Sequence, residues 1–504
     1  MSSSKNQKKR ESQGPIVPKL TKTKISLTAL LIVAGWFAIY IISLLGWLGT
    51  ADQWLLAIII LFAIGYAIRK LDGFQGFFIG VYMMATAKGL SYIDRISKRY
   101  RGFWLRLSMW GIILGFGLMA WPLLKGRISK KEYVFGIISL FVIMFFVLPF
   151  MEYGIQFIYL PQLQNALASS TVSTSAVITP LSVVTYIIGI VTGFTGYIGA
   201  LLFYITILNG IRVLQFASTV VAGQPQTQII SSLLPVAAPV IPGITIPLFA
   251  GLASLIILLI VHELSHGIIS RIYKVRLKSI GLLMIGAIPI GAFVEPDEKE
   301  VLKLDHLKKS LIFASGAATN FFAGLVFFVL MLFTSVYLLP GAYSSTPYIT
   351  SVIAGYPAAN VLQPGMQILS WNGHPVNTSA ELANASSSER PGVPITIVTN
   401  KGTFTLTPVS VNNSTRGYIG IDIGYQVANT LPASIIEFLY SFLVLSFVLN
   451  ISVAIINLLP VPGFDGWQLY KANIKRNWIT KILALIVSLL ILINVVFLVL
   501  QVSV

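Results

Sequence analysis

The chain has 504 residues, of which 56% are hydrophobic and only 10% are charged, and its mean hydropathy is +0.83. Soluble domains carry about 25% charged residues, so this composition predicts an integral membrane protein. Because the sequence has no Cys, disulfides and thiolate zinc sites are excluded. The formal net charge of +18 does not indicate nucleic-acid binding, since the basic residues lie mostly beside apolar segments, as membrane orientation requires.

The N-terminal half begins with residues 1–24, which are polar and rich in Lys and predict a cytoplasmic tail. Residues 25–225 form a multi-span region of unknown role, with the segment Gly73–Gly89 either spanning the membrane or lying in its interface. Five spans place the basic loop Lys125–Lys131 outside, against the positive-inside rule. The five predicted spans lie near Ile25–Gly49, Trp54–Ile68, Trp104–Leu124, Tyr133–Ile158 and Val184–Leu208.

The next apolar span, near Ile246–Tyr273, contains the sequence His262-Glu263-Leu264-Ser265-His266. A helix turns every ~3.6 residues, so the two His side chains share one face and are one turn apart. Two imidazoles in this arrangement can bind one zinc, and Glu263 beside them can act as a general base toward water. Ionisable groups within a span are costly and usually mark a functional site. The pattern therefore predicts zinc-dependent hydrolysis within a membrane.

Residues 343–428 interrupt the apolar pattern after a span near Leu311–Leu338. Alternating polar and apolar runs, punctuated by Gly, Pro, Asn and Ser, predict a small β-rich domain. Spans near Ala433–Leu459 and Trp478–Leu500 follow, giving about nine in total. Four Asn-x-Ser/Thr patterns favour an exterior position for the β-rich domain, and they begin at Asn377, Asn384, Asn412 and Asn413.

Basic residues predict which end of the zinc-binding helix faces the cytoplasm. Basic residues follow both the HExxH helix and the Ala433–Leu459 span. They include Arg271, Lys274, Arg276, Lys278, Lys303, Lys308 and Lys309 after the helix, and Lys471, Lys475 and Arg476 after the span. The positive-inside rule makes both loops cytoplasmic. We therefore expect the HExxH motif near the cytoplasmic end of its span.

The third zinc ligand is not fixed by the HExxH motif itself. Ile269 and Ile272 exclude the extended HExxHxxGxxH pattern. Asp465 ends an apolar span at the same predicted depth as the two His, although an Asp at such a position can also be a helix cap. The other candidates share a loop with many Lys and are Glu295, Asp297, Glu298 and Glu300.

Four motifs give the chain a resemblance to the site-2 proteases, the zinc intramembrane metalloproteases of regulated intramembrane proteolysis. The first is the HExxH helix, and the second is Gly281–Glu298, which resembles the family's membrane-reentrant β-hairpin. The third, Ser315-Gly316-Ala317-Ala318-Thr319-Asn320, resembles SGPxxN, with Ala317 in place of Pro. The fourth, Asn457–Gly466, resembles NLLPxxxLDG, with Phe464 in place of Leu. The β-rich domain between the last two motifs resembles a PDZ domain.

The resemblance implies one catalytic zinc held by His262, His266 and Asp465, with Glu263 as the general base. It also implies that Asn320 lies near the active site and stabilises an oxyanion or holds the substrate backbone; the alternative is a hydrogen bond joining two helices. The expected fold is mainly α, a polytopic membrane protein with an inserted PDZ-like domain. The catalytic core comprises residues 242–342 and 433–504, on either side of the PDZ-like domain at 343–428.

The expected substrates are single-span membrane proteins in the lipid bilayer, cut toward the cytoplasmic side of a cell membrane, with the PDZ-like domain outside. No nucleic-acid partner is expected, and the sequence leaves the oligomeric state open. Two alternatives remain open. One is a membrane zinc protease with a downstream Glu ligand and a cytosol-facing site, and the other is a non-enzymatic transporter or scaffold.

Overall fold

The computed structural model describes residues 22–45, 50–151, 180–223, 229–230, 233, 240, 242–243, 246–342, 346–359, 361–411, 415–424 and 431–502. Most of the predicted tail and the acceptor patterns at Asn412 and Asn413 lie outside these residues. The chain divides into two compact units, one comprising Met1–Val329 and Ser441–Val504 and the other Leu330–Tyr440.

Helices make up most of the fold, as the composition predicts. In chain order they are α1 Lys22–Leu44, α2 Thr50–Asp72, α3 Leu90–Arg99, α4 Arg101–Phe116, α5 Trp121–Leu124, α6 Lys130–Val142, α7 Pro180–Val221, α8 Leu248–Ile272, α9 Glu298–Leu302, α10 His306–Phe333, α11 Ser379–Ser386, α12 Leu431–Asn457, α13 Asp465–Asn473 and α14 Asn477–Val502.

Eight helical segments of the described residues are long and apolar enough to cross a membrane. A multi-pass helical membrane protein is therefore confirmed in outline. The predicted span near Trp54–Ile68 lies on α2, which is helical but is not one of the eight. The eight are Thr23–Leu44, Arg101–Leu124, Lys130–Met151, Val184–Val221, Leu248–Ile272, His306–Ala342, Leu431–Asn457 and Asn477–Phe497.

A four-stranded antiparallel sheet lies among the helices of the first unit. Its strands, in sheet order, are β1 Gln75–Phe78, β2 Val81–Thr86, β3 Leu277–Ile285 and β4 Ile288–Pro296. The hairpin of β3 and β4 is the one expected after the HExxH helix. The ambiguous segment Gly73–Gly89 supplies the other hairpin, and β2 pairs with β3 from Val81↔Ile285 to Thr86↔Ile280. The N-terminal half thus builds two strands of this sheet, while β4 remains at its edge and packs against α8.

The second unit is β-rich, as the alternating sequence predicts. Its core contains large buried side chains such as Ile368, Trp371 and Ile397. The strands are β5 Tyr348–Val352, β6 Ile368–Trp371, β7 His374–Pro375, β8 Ile395–Thr399, β9 Gly402–Leu406, β10 Val409–Ser410, β11 Gly417–Tyr418 and β12 Ile421–Gly424. Four of them form a sheet of order β7-β6-β8-β9, and the others form two pairs, β5 with β12 and β10 with β11.

The segment that begins with α4 folds back on itself. Arg101, at the start of α4, and Arg127, beyond α5, line one small cavity together with Tyr273 and Asp305. A continuous helix would separate Arg101 from Arg127 by about 39 Å. The expected straight span near Trp104–Leu124 is therefore interrupted. The fold-back also brings Arg127 of the Lys125–Lys131 loop to the same cavity as Tyr273, which follows the C-terminal end of the HExxH helix. Five straight spans would place this loop at the opposite end of that helix.

Two glycines break helices where their backbones meet. Gly117 ends α4 with φ 56° and ψ −135°, and Gly193 interrupts α7 with φ 71° and ψ −166°. A Cβ at Gly117 would lie 2.3 Å from the Ile190 carbonyl oxygen, and a Cβ at Gly193 would lie 2.3 Å from the Gly115 carbonyl oxygen. Only glycine combines these dihedral angles with so close an approach. The two breaks therefore depend on each other.

Replacing Gly117 by Ala should lower the free energy of unfolding by at least about 2 kcal/mol, because the new methyl group is strained at positive φ and collides with Ile190. Gly102→Ala is the matched control, since no atom lies within 4 Å of its added Cβ and an alanine favours the helix. Denaturant unfolding in detergent micelles measures both variants. Equal stability of Gly117→Ala and the wild type would show that the break is not required.

Candidate metal centre

His262 and His266 lie on one face of helix α8, in its buried C-terminal half. Both rings are buried, with 7% and 8% of their surface exposed. Two polar contacts fix the helix. Ser254 Oγ lies 2.9 Å from Ser446 Oγ on α12, and the Arg271 guanidinium forms a bidentate ion pair with Asp94 on α3. Hydrogen bonding from Arg271 holds the pKa of Asp94 below its usual range.

Asp465 reaches the two histidines from the turn that follows α12. A tight backbone turn precedes it, with Val461 N–H donating to Leu459 O and Phe464 N–H donating to Val461 O. Asp465 is the first residue of α13, and Phe464 is the N-cap residue. Asp465 is therefore not the helix cap that the sequence left as an alternative. Its Oδ2 atom lies 3.1 Å from His262 Nε2 and 3.0 Å from His266 Nε2.

The three side-chain atoms form a nearly equilateral triangle, since the two Nε2 atoms are 3.3 Å apart. A tetrahedral zinc with bonds of about 2.0–2.1 Å separates its ligand atoms by roughly 3.3 Å. Lone pairs at such distances repel one another unless a cation or a shared proton lies between them. The donor set, two imidazoles and one carboxylate, is also one that zinc accepts. These residues therefore fit a zinc ion.

The opposite edge of the His266 ring is tied to α10. Its Nδ1 atom lies 2.7 Å from the Ile312 carbonyl oxygen, and Ser315 Oγ is 3.3 Å from the same nitrogen. A carbonyl only accepts, so Nδ1 carries the proton and Nε2 keeps its lone pair. This contact orients the ring and leaves Nε2 free for a metal.

Asn320 holds the back of the His262 ring in the same way. The side chain is fully buried, and its amide lies 3.1 Å from His262 Nδ1 while Oδ1 has no partner. Amide oxygen and nitrogen are assigned from their hydrogen-bonding partners. We assign Oδ1 to the position facing Nδ1–H, because Nε2 can then act as a ligand. The contact joins α8 and α10, which was the structural alternative, and the proposed roles in oxyanion stabilisation or substrate binding stay predictions.

One face of α10 forms the wall of the site. Ile312, Gly316 and Asn320 follow one another at intervals of four residues, so they line a single stripe toward α8. A Cβ at Gly316 would lie 2.4 Å from His266 Nε2 and 2.5 Å from His262 Nε2. Glycine at this position therefore leaves room beside both ligand atoms. Ile312 supplies a carbonyl beside the two rings, and the SGAATN sequence that follows it supplies a hydroxyl, an amide and this gap.

Glu263 points to the sheet. Its Oε2 atom accepts a hydrogen bond of 2.9 Å from the Val294 N–H of β4. The N–H belongs to the edge strand and is not used in the β3–β4 ladder at this point. The general-base candidate is thus held against the free edge of the sheet.

Three of the four acidic candidates after the HExxH helix have other partners. Glu295 contacts Lys278 and Ser279, Asp297 caps α9, and Glu300 accepts from the Arg276 N–H. Among the described residues, the group able to hold a metal consists of His262, His266 and Asp465. The geometry therefore favours Asp465 over the downstream acids.

Sequence reasoning missed three features of this site. They are the Ile312 carbonyl, the space left at Gly316 and the Val294 N–H. Two are backbone groups, which have no residue-type signal. Gly316 was visible in the SGAATN motif, but its function depends on how closely α10 approaches α8.

Gly316→Ala should weaken zinc binding at least about tenfold, because its methyl group would collide with both ligand nitrogens. Gly199→Ala on α7 is the matched control, since no atom lies within 4 Å of its added Cβ. Metal content by mass spectrometry and chelator competition measure the effect without any assay of activity. Zinc binding of wild-type strength in Gly316→Ala would contradict the site geometry.

The comparisons with known proteins agree with this site. The uncharacterized protein MJ0971 of Methanocaldococcus jannaschii is 27% identical over 246 residues, which cover 48% of this chain and 63% of that protein. The chain thus spans less than two thirds of this relative's length. The family model described as peptidase family M50 matches residues 250–500, which include both histidines and Asp465. The chain belongs to peptidase family M50, the site-2 protease family.

Proposed function

We propose that the protein is a zinc-dependent intramembrane endopeptidase that hydrolyses peptide bonds of single-span membrane proteins. The observation that carries this proposal is the triangle of His262 Nε2, His266 Nε2 and Asp465 Oδ2, with sides of 3.0–3.3 Å. His262 and His266 lie on a helix apolar enough to span a membrane. The catalytic site faces the cytoplasmic side, because the basic loops follow the same end of this helix.

Zinc, when bound, would supply Lewis-acid activation of water and of the scissile carbonyl. Glu263 takes a proton from the attacking water and passes it to the leaving amine. Asn320 and the Ile312 carbonyl keep Nε2 of each ring unprotonated and aimed inward. Both groups thus act on zinc binding through the histidines.

The free edge of β4 provides a place for an unwound substrate. A helical substrate hides its peptide bonds and must become extended before attack, and an extended strand can pair with a sheet edge. The N–H groups of Ala292 and Val294 face the same way, because they are two residues apart on β4. A substrate that pairs with the Val294 N–H displaces Glu263 Oε2 from it. Strand addition thus delivers the peptide bond and frees the base in one step.

The second unit is proposed to be a PDZ-like domain that selects substrates outside the membrane. A cavity of about 400 Å³ lies between Leu382 on α11 and Ile421 and Ile423 on β12. Glu389 and Arg416 add one charge of each sign to its lining. Burial raises the pKa of Glu389, and the hydrogen bond from the Trp371 indole N–H opposes this shift. Such a cavity suits an apolar peptide side chain beside a charged chain end.

Glu263→Gln should reduce cleavage of a transmembrane substrate at least about a hundredfold while zinc stays bound. The substitution removes the general base and none of the zinc ligands. Asp465→Ala should lose the zinc. Glu295→Ala is the control for a downstream Glu ligand, and it should keep zinc and activity. Reconstituted vesicles with a fluorescent substrate, together with metal analysis, measure all three. Cleavage at the wild-type rate by Glu263→Gln would exclude the proposed enzyme.

Ala292→Pro should reduce cleavage at least about tenfold without changing the zinc content. Proline removes an N–H from the free edge of β4 but no bond from the β3–β4 ladder. Ala292→Val keeps the N–H and is the matched control. The same vesicle assay measures both variants. Indistinguishable rates for Pro and Val at this position would rule out strand addition at β4 and would leave the zinc site unaffected.

A further inference from the structure

A second cavity, of about 330 Å³, lies where the folded-back segment meets the end of the HExxH helix. Its lining includes Arg101, in the first turn of α4, and Arg127, in the loop after α5. Asp305 and Lys308 line it at the start of α10, and Tyr273 lines it just after the last residue of α8. The cavity therefore joins three parts of the first unit that are far apart in sequence. It is separate from the zinc ligands, none of which lines it.

The charges of this cavity are unbalanced. Three cationic side chains and one carboxylate line it. Lys308 Nζ lies 2.7 Å from Asp305 Oδ2, and Asp305 also accepts from the Lys308 N–H, so these two charges satisfy each other. In the part of the chain that the structure describes, Arg101 and Arg127 form no ion pair with an acidic side chain. Two guanidinium groups thus remain for a ligand of negative charge.

The pKa shifts of Asp305 and Tyr273 agree with an excess of positive charge around the cavity. Hydrogen bonding from Lys308 and the nearby Arg127 hold the pKa of Asp305 below its usual range. Burial and Asp305 raise the pKa of the Tyr273 phenol, against the opposing effect of Arg101 and Arg127. Both guanidinium groups therefore act on the same phenol and lie around one space.

The remaining lining of the cavity is apolar. Leu105 and Met109 follow Arg101 at intervals of four residues along one face of α4, and Leu307 and Leu311 lie one turn apart on α10. Both helices lie within strongly apolar segments, Arg101–Leu124 and His306–Ala342. A cavity with a cationic rim and an apolar wall matches a molecule that has an anionic head and a hydrocarbon chain. A fully hydrated inorganic anion would use the rim but not the wall.

We propose that this cavity binds the phosphate group of an anionic phospholipid through Arg101 and Arg127, with an acyl chain along Leu105, Met109 and Leu311. Guanidinium groups suit phosphate because each can donate two parallel hydrogen bonds. The bound lipid bridges the α4 start, the Arg127 loop and the end of α8. It therefore ties the folded-back segment to the HExxH helix. This inference does not depend on the protein being a protease.

The test uses the purified full chain in detergent with phosphatidylglycerol as the anionic probe, phosphatidylcholine as the neutral lipid and inorganic phosphate as the soluble anion, at constant ionic strength. Native mass spectrometry counts bound lipids, and the thermal midpoint reports stabilisation. We expect phosphatidylglycerol to bind at least about tenfold more tightly than phosphatidylcholine and to raise the midpoint, while inorganic phosphate does neither. Stabilisation by inorganic phosphate equal to that by phosphatidylglycerol would overturn the lipid assignment.

Arg101→Gln/Arg127→Gln should weaken phosphatidylglycerol binding at least about tenfold. The control is Arg95→Gln/Lys98→Gln, which removes the same charge from the exposed face of α3, outside the cavity. It should weaken phosphatidylglycerol binding less than about threefold. Arg101→Lys/Arg127→Lys keeps the charge and should show an intermediate affinity, since lysine lacks the forked donor. Zinc content confirms that each variant is folded. Equal loss in the two charge-removal variants would show that only general surface attraction operates, and would overturn the proposal.

Discussion

The structure depends on holding three lone-pair donors within 3.0–3.3 Å of one another inside an apolar helical packing. Such an arrangement is unfavourable without a cation, so the surrounding structure must impose it. Helix α10 does so through a single stripe of residues. Ile312 and Asn320 fix the two ring orientations, and Gly316 between them keeps α10 close without filling the metal position. Asp465 completes the set from a tight turn that α12 delivers to the same depth.

The N-terminal half, which carries no catalytic motif, contributes to this core through a sheet. Strands β1 and β2 extend the β3–β4 hairpin on its far side, so β3 is paired on both sides and β4 keeps one free edge. The free edge faces the HExxH helix, where the Val294 N–H holds Glu263. A two-stranded hairpin alone is marginally stable, and two further strands make its edge a more rigid template. The N-terminal half thereby has a physical role in the predicted catalytic core.

The folded-back segment explains why simple span counting fails in this half. Five straight spans place the basic loop Lys125–Lys131 outside, against the positive-inside rule. The break at Gly117 removes this conflict, because it returns the chain so that Arg127 lies near Arg101. The break is possible because Gly193 of α7 meets it backbone to backbone. Two helix ends can be buried together because other protein groups form hydrogen bonds with their free backbone carbonyls. Thr195 Oγ1 donates to the Gly115 carbonyl, and the Tyr133 hydroxyl donates to the carbonyls of Gly117 and Leu118. The same fold-back brings Arg127 into the second cavity.

Hydrophobicity and its periodicity are local properties of the chain, so they predicted the membrane class, the helical fold and the β-rich insertion. The β-hairpin after the HExxH helix was expected from the family resemblance. The sequence also placed His262, Glu263 and His266 together, since one helical turn fixes their spacing, and it favoured Asp465 through a motif. Long-range packing brings Asp465 to the two histidines, Asn320 to His262 and β2 to β3. These contacts depend on which distant segments meet. Glu263 accepts from a backbone N–H and His266 contacts a backbone carbonyl, and backbone groups have no residue-type signal. Gly316 belongs to a motif, but its role depends on how closely α10 approaches α8.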